Sequence, residues 1–370
     1  MHAGIGSKSF DVRIARRRRP ASAGRLDTKT ETLGGTSRSE RYTYDDAGRL
    51  GQVFVDGAST PTHEYAYDPN GNRDDGTHDA QDRLLTHGGF SFAYGANGEL
   101  AKKTDGVTLA ETLYAYDTHG SLRAVTRPAP LAPIEYVIDG NNRRIGKKVG
   151  GSLVQGFLYD GARVVAELDA AGAVVARFVY ATDGHAPDLM LKGGATYRFV
   201  KDHLGSPRLV VDAATGAVAQ RIDFDPWGVV TLDSNPSFQP FGFAGGLWDR
   251  DTGFVRFGAR DYDPATGRWT SKDSIRFAGG LNLYGYVDND PINFVDPTGQ
   301  KPWGAESWPP RPSPPARPCL DDGIKGVGAA IVNHLNSACR HAVLPSKTPS
   351  TSRPLYHCLS DVLRRRRGQC

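Results

Sequence analysis

Hydrophobic and polar residues alternate around a series of tyrosines in the first half of the chain, as in Arg41-Tyr42-Thr43-Tyr44 and Tyr65-Ala66-Tyr67. Residues two apart lie on the same face of a β-strand, so these tyrosines are predicted to share one face. An Asp-x-x-Gly turn sequence follows most of them. Its aspartate can accept backbone N–H groups, and its glycine tolerates a positive φ. The pattern therefore predicts strand, tight turn, strand.

The same signature repeats every 21 to 27 residues, at Tyr44, Tyr67, Tyr94, Tyr116, Ile138 and Tyr159. In the first four units a glycine stands four residues after the tyrosine, and Asn142 takes that place in the fifth. One hairpin of about 20 residues cannot bury its apolar face alone. The units are therefore predicted to stack edge to edge into a continuous antiparallel sheet.

Composition agrees with a mainly β fold, because 44 glycines and 24 prolines among 370 residues are too many for a protein of long helices. The net charge is +6 over residues 1–25, −9 over 26–300 and +7 over 301–370, which predicts parts with different partners. The chain contains no run of about 18 apolar residues, and its N-terminal arginine cluster lacks an apolar segment. Neither a membrane span nor a Sec signal is expected.

The repeats resemble the YD repeats of the rearrangement-hotspot (Rhs) family, which is shared with the C components of Tc toxins and with teneurin-type proteins. Two blocks extend the resemblance: VKDHLGSPR at 200–208, with Ser206 where threonine is usual, and residues 241–299, which are similar throughout to the Rhs-associated core. The resemblance implies a hollow β-shell that encloses a toxic C-terminal segment. About ten hairpins before residue 240 are too few to close such a shell. The expected fold is therefore mainly β, an open, curved partial shell of stacked antiparallel hairpins followed by a short irregular or helical C-terminal segment.

Five parts are predicted along the chain. They are a disordered basic arm at 1–39, YD repeats at 40–240, the Rhs-associated core at 241–300, a proline-rich linker at 301–322 and a variable C-terminal segment at 323–370. Apolar residues at helical spacing predict a short amphipathic helix near the start of the last part. All four cysteines also lie after residue 300, but their spacing lacks the Cys-x-x-Cys pairs typical of zinc sites, so no metal or cofactor is expected.

A candidate cleavage site lies at the end of the core, where the chain reads PINFVDPTGQ. In the family this region is an intramolecular aspartyl protease that cuts just after a PxxxxDPxGL motif. The resemblance implies that Asp273 and Asp296 are the two catalytic carboxylates, that Arg260 supports them, and that the scissile bond joins Gln300 to Lys301. Gln300 stands where the family usually has leucine.

Two neighbouring carboxylates suit peptide hydrolysis, because one ionised group can deprotonate water while the other, protonated, polarises the carbonyl. Arg260 beside them could lower the pKa of one member or stabilise the developing oxyanion. Asp-Pro and Pro-x-x-Gly are also ordinary turn sequences. A purely structural role for these residues is therefore the alternative.

These features predict an Rhs-type polymorphic-toxin fragment, a β-repeat scaffold with a self-cleaving core that releases a C-terminal effector in contact-dependent bacterial competition. The alternatives are a non-enzymatic cell-surface adhesion protein that binds carbohydrate or a partner, and a non-functional remnant. Expected partners are the chain's own C-terminal segment as cargo, an immunity protein, a secretion-apparatus component and a second chain that completes the shell. Nucleic acid is not expected to bind the repeats or the core. For the C-terminal segment, binding of nucleic acid is left open. The expected location is outside the cell or on its surface, after synthesis in the cytoplasm.

Overall fold

The computed structural model describes residues 13–18, 24–33, 36–182, 184–300 and 302–304. The strands within these ranges are, in chain order, β1 Arg13–Arg18, β2 Leu26–Leu33, β3 Thr36–Tyr44, β4 Leu50–Val55, β5 His63–Glu64, β6 Gly76–His78, β7 Leu84–His87, β8 Phe90–Tyr94, β9 Leu100–Asp105, β10 Glu111–Tyr116, β11 Leu122–Thr126, β12 Ile134–Ile138, β13 Arg144–Val149, β14 Ser152–Asp160, β15 Arg163–Leu168, β16 Val174–Val179, β17 Leu189–Lys192, β18 Ala195–Lys201, β19 Pro207–Asp212, β20 Val218–Phe224, β21 Val230–Asp233, β22 Leu247–Trp248, β23 Val255–Phe257, β24 Arg260–Asp263, β25 Arg268–Trp269, β26 Phe294–Val295 and β27 Trp303–Gly304. Short 3₁₀ helices are found at Phe243–Gly245, Arg276–Gly279 and Val287–Asn289. In the described ranges no helix has the length and apolar character needed to cross a membrane.

The described strands form four antiparallel sheets: β1 to β5, β6 to β21, β22 to β25, and β26 with β27. In the long sheet each strand pairs with the strands before and after it in the chain. Its two end strands, β6 and β21, lie at opposite edges, so the sheet is not closed on itself. The predicted fold class, a mainly β, open, curved shell of stacked antiparallel hairpins, is confirmed for the described residues. The predicted C-terminal helix and the linker beyond Gly304 lie outside them.

The Asp-x-x-Gly turns are built as their sequence predicts. The Oδ1 atom of Asp117 accepts the backbone N–H groups of His119 at 2.9 Å and Ser121 at 3.1 Å. The intervening Gly120 has a φ of +76°, and Asn142 takes a φ of +60° at the same place in the fifth unit. The same pair of side-chain to backbone bonds recurs at Asp68, Asp139, Asp169, Asp202 and Asp225.

The tyrosine before a turn also ties its hairpin to the preceding one. The hydroxyl of Tyr159 donates a hydrogen bond of 2.8 Å to the backbone carbonyl of Arg144. Equivalent bonds join Tyr44 to Leu26, Tyr67 to Leu50 and Tyr180 to Val164. The ring contributes apolar surface to the sheet face while its hydroxyl satisfies a carbonyl of the neighbouring unit. At these four positions tyrosine therefore supplies a bond that phenylalanine could not.

The first sheet begins earlier in the chain than the sequence predicts. Strands β1 and β2 lie within residues 1–39, which were expected to form a disordered arm. Strand β2 alternates Thr28, Thr30 and Thr32 with charged residues, and it pairs with β3 from Thr28 to Leu33. β-Branched residues at a spacing of two favour a strand. The expectation, drawn from charge, overlooked that alternation.

The core segment, residues 241–300, packs against the sheets and contributes apolar side chains to several of their hydrophobic clusters. Phe254 packs with side chains of the early part of the long sheet, Phe241 with those of its later part, and Ile292 with those of the first sheet. The segment has its own aromatic cluster, in which the rings of Tyr262 and Tyr286 lie 4.3 Å apart between centroids. The sheets thus provide the apolar surface against which the core segment packs.

Candidate active site

Arg260 is the first residue of β24, immediately after the tight turn that joins β24 to β23. Its guanidinium carbon lies 4.1 Å from the ring centroid of Trp269, and the side chain is buried. The Nη2 atom lies 2.7 Å from Oδ2 of Asp273 and 3.5 Å from Oδ2 of Asp296. One nitrogen of Arg260 therefore faces both of the predicted catalytic carboxylates.

Asp273 follows β25, and hydrogen bonds to backbone groups of two other residues hold it in place. Its N–H donates to the carbonyl of Leu283 at 3.1 Å, and its Oδ1 atom accepts the N–H of Ile275 at 2.9 Å. These bonds orient the carboxylate so that Oδ2 is directed at Arg260. The residue is 7% exposed.

Asp296 follows β26 and is 1% exposed. The hydroxyl of Thr298 donates to its Oδ1 atom at 2.9 Å, and the N–H of Gly299 donates to its backbone carbonyl at 3.1 Å. Gly299 has a φ of +66°, and a Cβ added there would lie 2.3 Å from the carbonyl oxygen of Phe257. This turn of the motif therefore requires glycine for both its dihedral angle and its close backbone approach.

The predicted scissile bond lies in the loop that joins β26 to β27, since Val295 pairs with Trp303. The backbone on the N-terminal side of that bond is anchored to the Arg260 turn. The N–H of Ala259 donates to the carbonyl of Thr298 at 2.9 Å, and Nε of Arg260 donates to the carbonyl of Gly299. Lys301, the predicted residue after the cut, lies outside the described residues.

The carbonyl of Gln300 is close to the carboxylate of Asp273. A Cβ added to Gly279 would lie 2.5 Å from Oδ2 of Asp273 and 2.9 Å from the carbonyl oxygen of Gln300, so both oxygens border the same point. A cavity of about 10 Å³ is lined by Arg260, Asp273, Asp296 and Gln300, among other residues. That volume is about the space of one water molecule. The arrangement can bring a water to a peptide carbonyl between two carboxylates.

Burial governs the titration of this site. It raises the pKa of Asp273 above its ordinary value, and the negative charge of Asp296 adds to the rise, while Arg260 opposes both. Burial also lowers the pKa of Arg260 to about 10, against the attraction of the two carboxylates. Arg260 thus keeps its charge at neutral pH, and Asp273 holds a proton more readily than a free aspartate.

The structure brings together Arg260, Asp273, Asp296 and Gln300, all of which the sequence singles out. Sequence reasoning missed Gly279, which borders the Gln300 carbonyl. It also missed the contributions of Trp269, Thr298 and Ser274. The consecutive glycines at 279 and 280 were the available signal, because a chain that passes close to other atoms often uses glycine. No set of three or more metal-binding side chains occurs within the part of the chain that the structure describes.

Comparisons with known proteins agree with the repeat pattern. A family model described as Teneurin YD-shell matches residues 22–292, a range that includes Arg260 and Asp273 and ends before Asp296. The chain is 28% identical over 289 residues to Teneurin-1 of Gallus gallus, covering 72% of this chain and 10% of that protein. It is 30% identical over 320 residues to Double-stranded DNA deaminase toxin A of Burkholderia cenocepacia (strain H111), covering 75% of this chain and 22% of that protein.

A solved structure of TcdB2-TccC3-Cdc42 has a TM-score of 0.49 and 19% identity, over 78% of this chain and 15% of that one. The chain thus spans about a tenth of the length of the teneurins it matches. Because the family model matches more than half of the chain, the protein belongs to the YD-shell family of Rhs-type YD-repeat proteins.

Proposed function

We propose that this chain is a YD-shell scaffold whose core hydrolyses its own backbone between Gln300 and Lys301 and releases the segment that follows. One observation carries the proposal. Two buried carboxylates, those of Asp273 and Asp296, face a single nitrogen of Arg260 beside the carbonyl of Gln300. Two close carboxylates, one protonated and one ionised, can supply the acid and the base for peptide hydrolysis.

The two carboxylates take different parts in the reaction. Asp296 is assigned the role of base, because the Thr298 hydroxyl occupies its Oδ1 atom and its Oδ2 atom faces the site. Asp273, whose pKa is raised and which borders the Gln300 carbonyl, is the acid. Asp296 takes a proton from water, the water oxygen bonds to the carbonyl carbon, and Asp273 gives its proton to the carbonyl oxygen. The C–N bond then breaks, Asp296 passes its proton to the leaving nitrogen, and the hydroxyl proton returns to Asp273.

Placement of the substrate needs no binding step, because the scissile bond is part of the same chain and lies four residues after Asp296. Reaction in cis is a single turnover, after which the carboxylate of Gln300 stays in the site. The released segment keeps a short strand pairing through β26 and β27, which consist of two residues each. Strands of that length hold little on their own, so the fragment is expected to dissociate once the bond is cut.

The released segment is proposed to be an effector in contact-dependent bacterial competition, delivered to the cell exterior. Support comes from the similarity to a relative named as a deaminase toxin, with which this chain shares 30% identity. The chain covers 22% of that relative, so the chemistry of the effector is not carried over. In the alternative, the scaffold is an uncleaved surface adhesion protein.

The test is the intact mass of the purified full chain. Wild-type protein is expected to yield a 70-residue fragment that begins at Lys301. Asp273→Asn and Asp296→Asn are expected to leave the chain whole. Asp225→Asn, a change in a half-buried repeat turn, serves as the matched control and is expected to cleave. A wild-type chain that stays intact after folding would overturn self-cleavage and favour the adhesion alternative.

A further inference from the structure

The side chain of Gln300 is held by a polar partner. Its Nε2 atom donates a hydrogen bond of 3.0 Å to the hydroxyl of Ser274, the residue directly after Asp273. The bond therefore connects the side chain of the predicted scissile residue to the segment that carries one of the two carboxylates. The backbone carbonyl oxygen of Gln300 and Oδ2 of Asp273 both border the space beside Gly279. Gln300 thus bonds to the segment after Asp273 through its side chain, and its carbonyl borders the carboxylate of Asp273.

Residues 274–280, which we name the strap, lead from Asp273 across the junction. The N–H of Arg276 donates to the carbonyl of Asp273 at 3.0 Å, which starts the strap as a tight turn. Gly279 lies near the end of the strap. Both Oδ2 of Asp273 and the carbonyl oxygen of Gln300 lie within 3 Å of the position that a Cβ of Gly279 would occupy. The Phe277 side chain is 70% exposed, so the strap is anchored mainly by its two ends.

We propose that Ser274 is the specificity-determining residue of the self-cleavage reaction, and that it selects a neutral amide side chain at position 300. This inference rests on the proposed function. The hydroxyl of Ser274 accepts from the amide nitrogen of Gln300 and draws the scissile residue toward the strap. The Gln300 carbonyl is thereby held beside the proton that Asp273 supplies.

The surroundings explain why an amide suits this position. A leucine at 300 offers no donor to Ser274, and a carboxylate there would add a negative charge beside Asp273 and Asp296. Gln300 also lines a second cavity of about 600 Å³, with Phe257 and Leu247 on its wall. An apolar residue at 300 could enter that cavity and take its carbonyl away from Asp273. The hydrogen bond to Ser274 holds the amide of Gln300 at the strap instead.

The experiment follows cleavage of the full chain after a pulse of synthesis in a cell-free system. Ser274→Ala is expected to slow cleavage about two- to tenfold, the range that corresponds to the loss of one neutral hydrogen bond. Ser274→Thr keeps the hydroxyl and is expected to restore the wild-type rate. Ser37→Ala, which removes an exposed serine hydrogen bond to Thr32 in the first sheet, is the matched control and is expected to cleave normally.

A double-mutant cycle distinguishes a specific Ser274–Gln300 interaction from a general effect of Ser274 on the conformation of the strap. Ser274→Ala and Gln300→Leu break the same bond, so the double variant is expected to cleave no more slowly than the slower single variant. Multiplied effects, or a Ser274→Ala chain that cleaves at the wild-type rate, would overturn the role of Ser274 and leave self-cleavage standing. An uncleaved wild-type chain would overturn self-cleavage itself, and this inference with it. Equal melting temperatures of the variants show that the change lies in the site and not in the fold.

Discussion

Arg260 and Asp273 are in direct contact: Nη2 of the arginine lies 2.7 Å from Oδ2 of the aspartate, and both side chains are 5% exposed. The same guanidinium stacks on Trp269 and donates through Nε to the carbonyl of Gly299. Arg260 therefore joins the carboxylates to the backbone just before the proposed cut. Its loss should disturb both the charge of the site and the placement of the junction.

Arg260→Met is expected to lower the cleavage rate by at least about a hundredfold, because it removes the cation that faces both carboxylates. Arg260→Lys keeps the charge but cannot donate to Asp273 and Gly299 in the same fork geometry, so it should recover only part of the rate. The rates are read from the appearance of the fragment on a denaturing gel. Wild-type cleavage by Arg260→Met would show that the guanidinium is dispensable.

Gly279→Ala is expected to block cleavage with little loss of stability. The added Cβ would lie 2.5 Å from Oδ2 of Asp273 and 2.9 Å from the Gln300 carbonyl, so both oxygens must shift. Gly140→Ala is the matched control, since a Cβ there meets no atom within 4 Å. Cleavage by intact mass and melting temperature are measured for both. Efficient cleavage by Gly279→Ala would contradict the close approach of the two oxygens.

Cleavage is expected to slow as the pH rises above the ordinary titration range of aspartate, because the acid must be protonated to act. The sign follows from Asp273, whose pKa is raised by burial and by Asp296, so its proton is lost only above the usual aspartate range. Each pH unit above that pKa should lower the rate by up to about tenfold. Rates of refolded full chain across this range test the assignment. A rate that climbs steadily with pH would reverse the roles of the carboxylates.

Asp261→Asn is expected to destabilise the body by about 3–5 kcal/mol, because it leaves two buried arginines without their shared counter-charge. Its Oδ1 atom lies 2.7 Å from Nη2 of Arg144 on the long sheet, and its Oδ2 atom lies 2.9 Å from Nη1 of Arg256 in the core segment. Urea unfolding gives the difference in free energy of unfolding. The control is Glu111→Gln, which breaks an exposed pair with Lys102 and should cost less than about 1 kcal/mol. Similar losses for the two variants would mean that the buried triad adds nothing to the link between sheet and core.

The repeat architecture could be predicted from the sequence because its determinants are local. Alternation around Tyr44 and Tyr67 sets the faces of strands, and each Asp-x-x-Gly forms its turn from bonds within five residues, as at Asp117. Each strand then meets the next one in the chain, so the sheet order follows from the hairpins. Strand β2 was missed because its short Thr28 to Thr32 alternation lies in a region dominated by charge.

The residues of the candidate site could be named from a motif, but their arrangement depends on tertiary packing. Arg260 and Gly299 are 39 positions apart, and Ser274 and Gln300 are 26 apart, yet hydrogen bonds join each pair. Those contacts exist because the core segment packs against the sheets that the hairpins form. Sequence alone thus determined the hairpins, their order and the types of the reacting groups. Only the folded chain decided that Gly279 makes room for the Gln300 carbonyl, since that depends on distances between segments that no local pattern encodes.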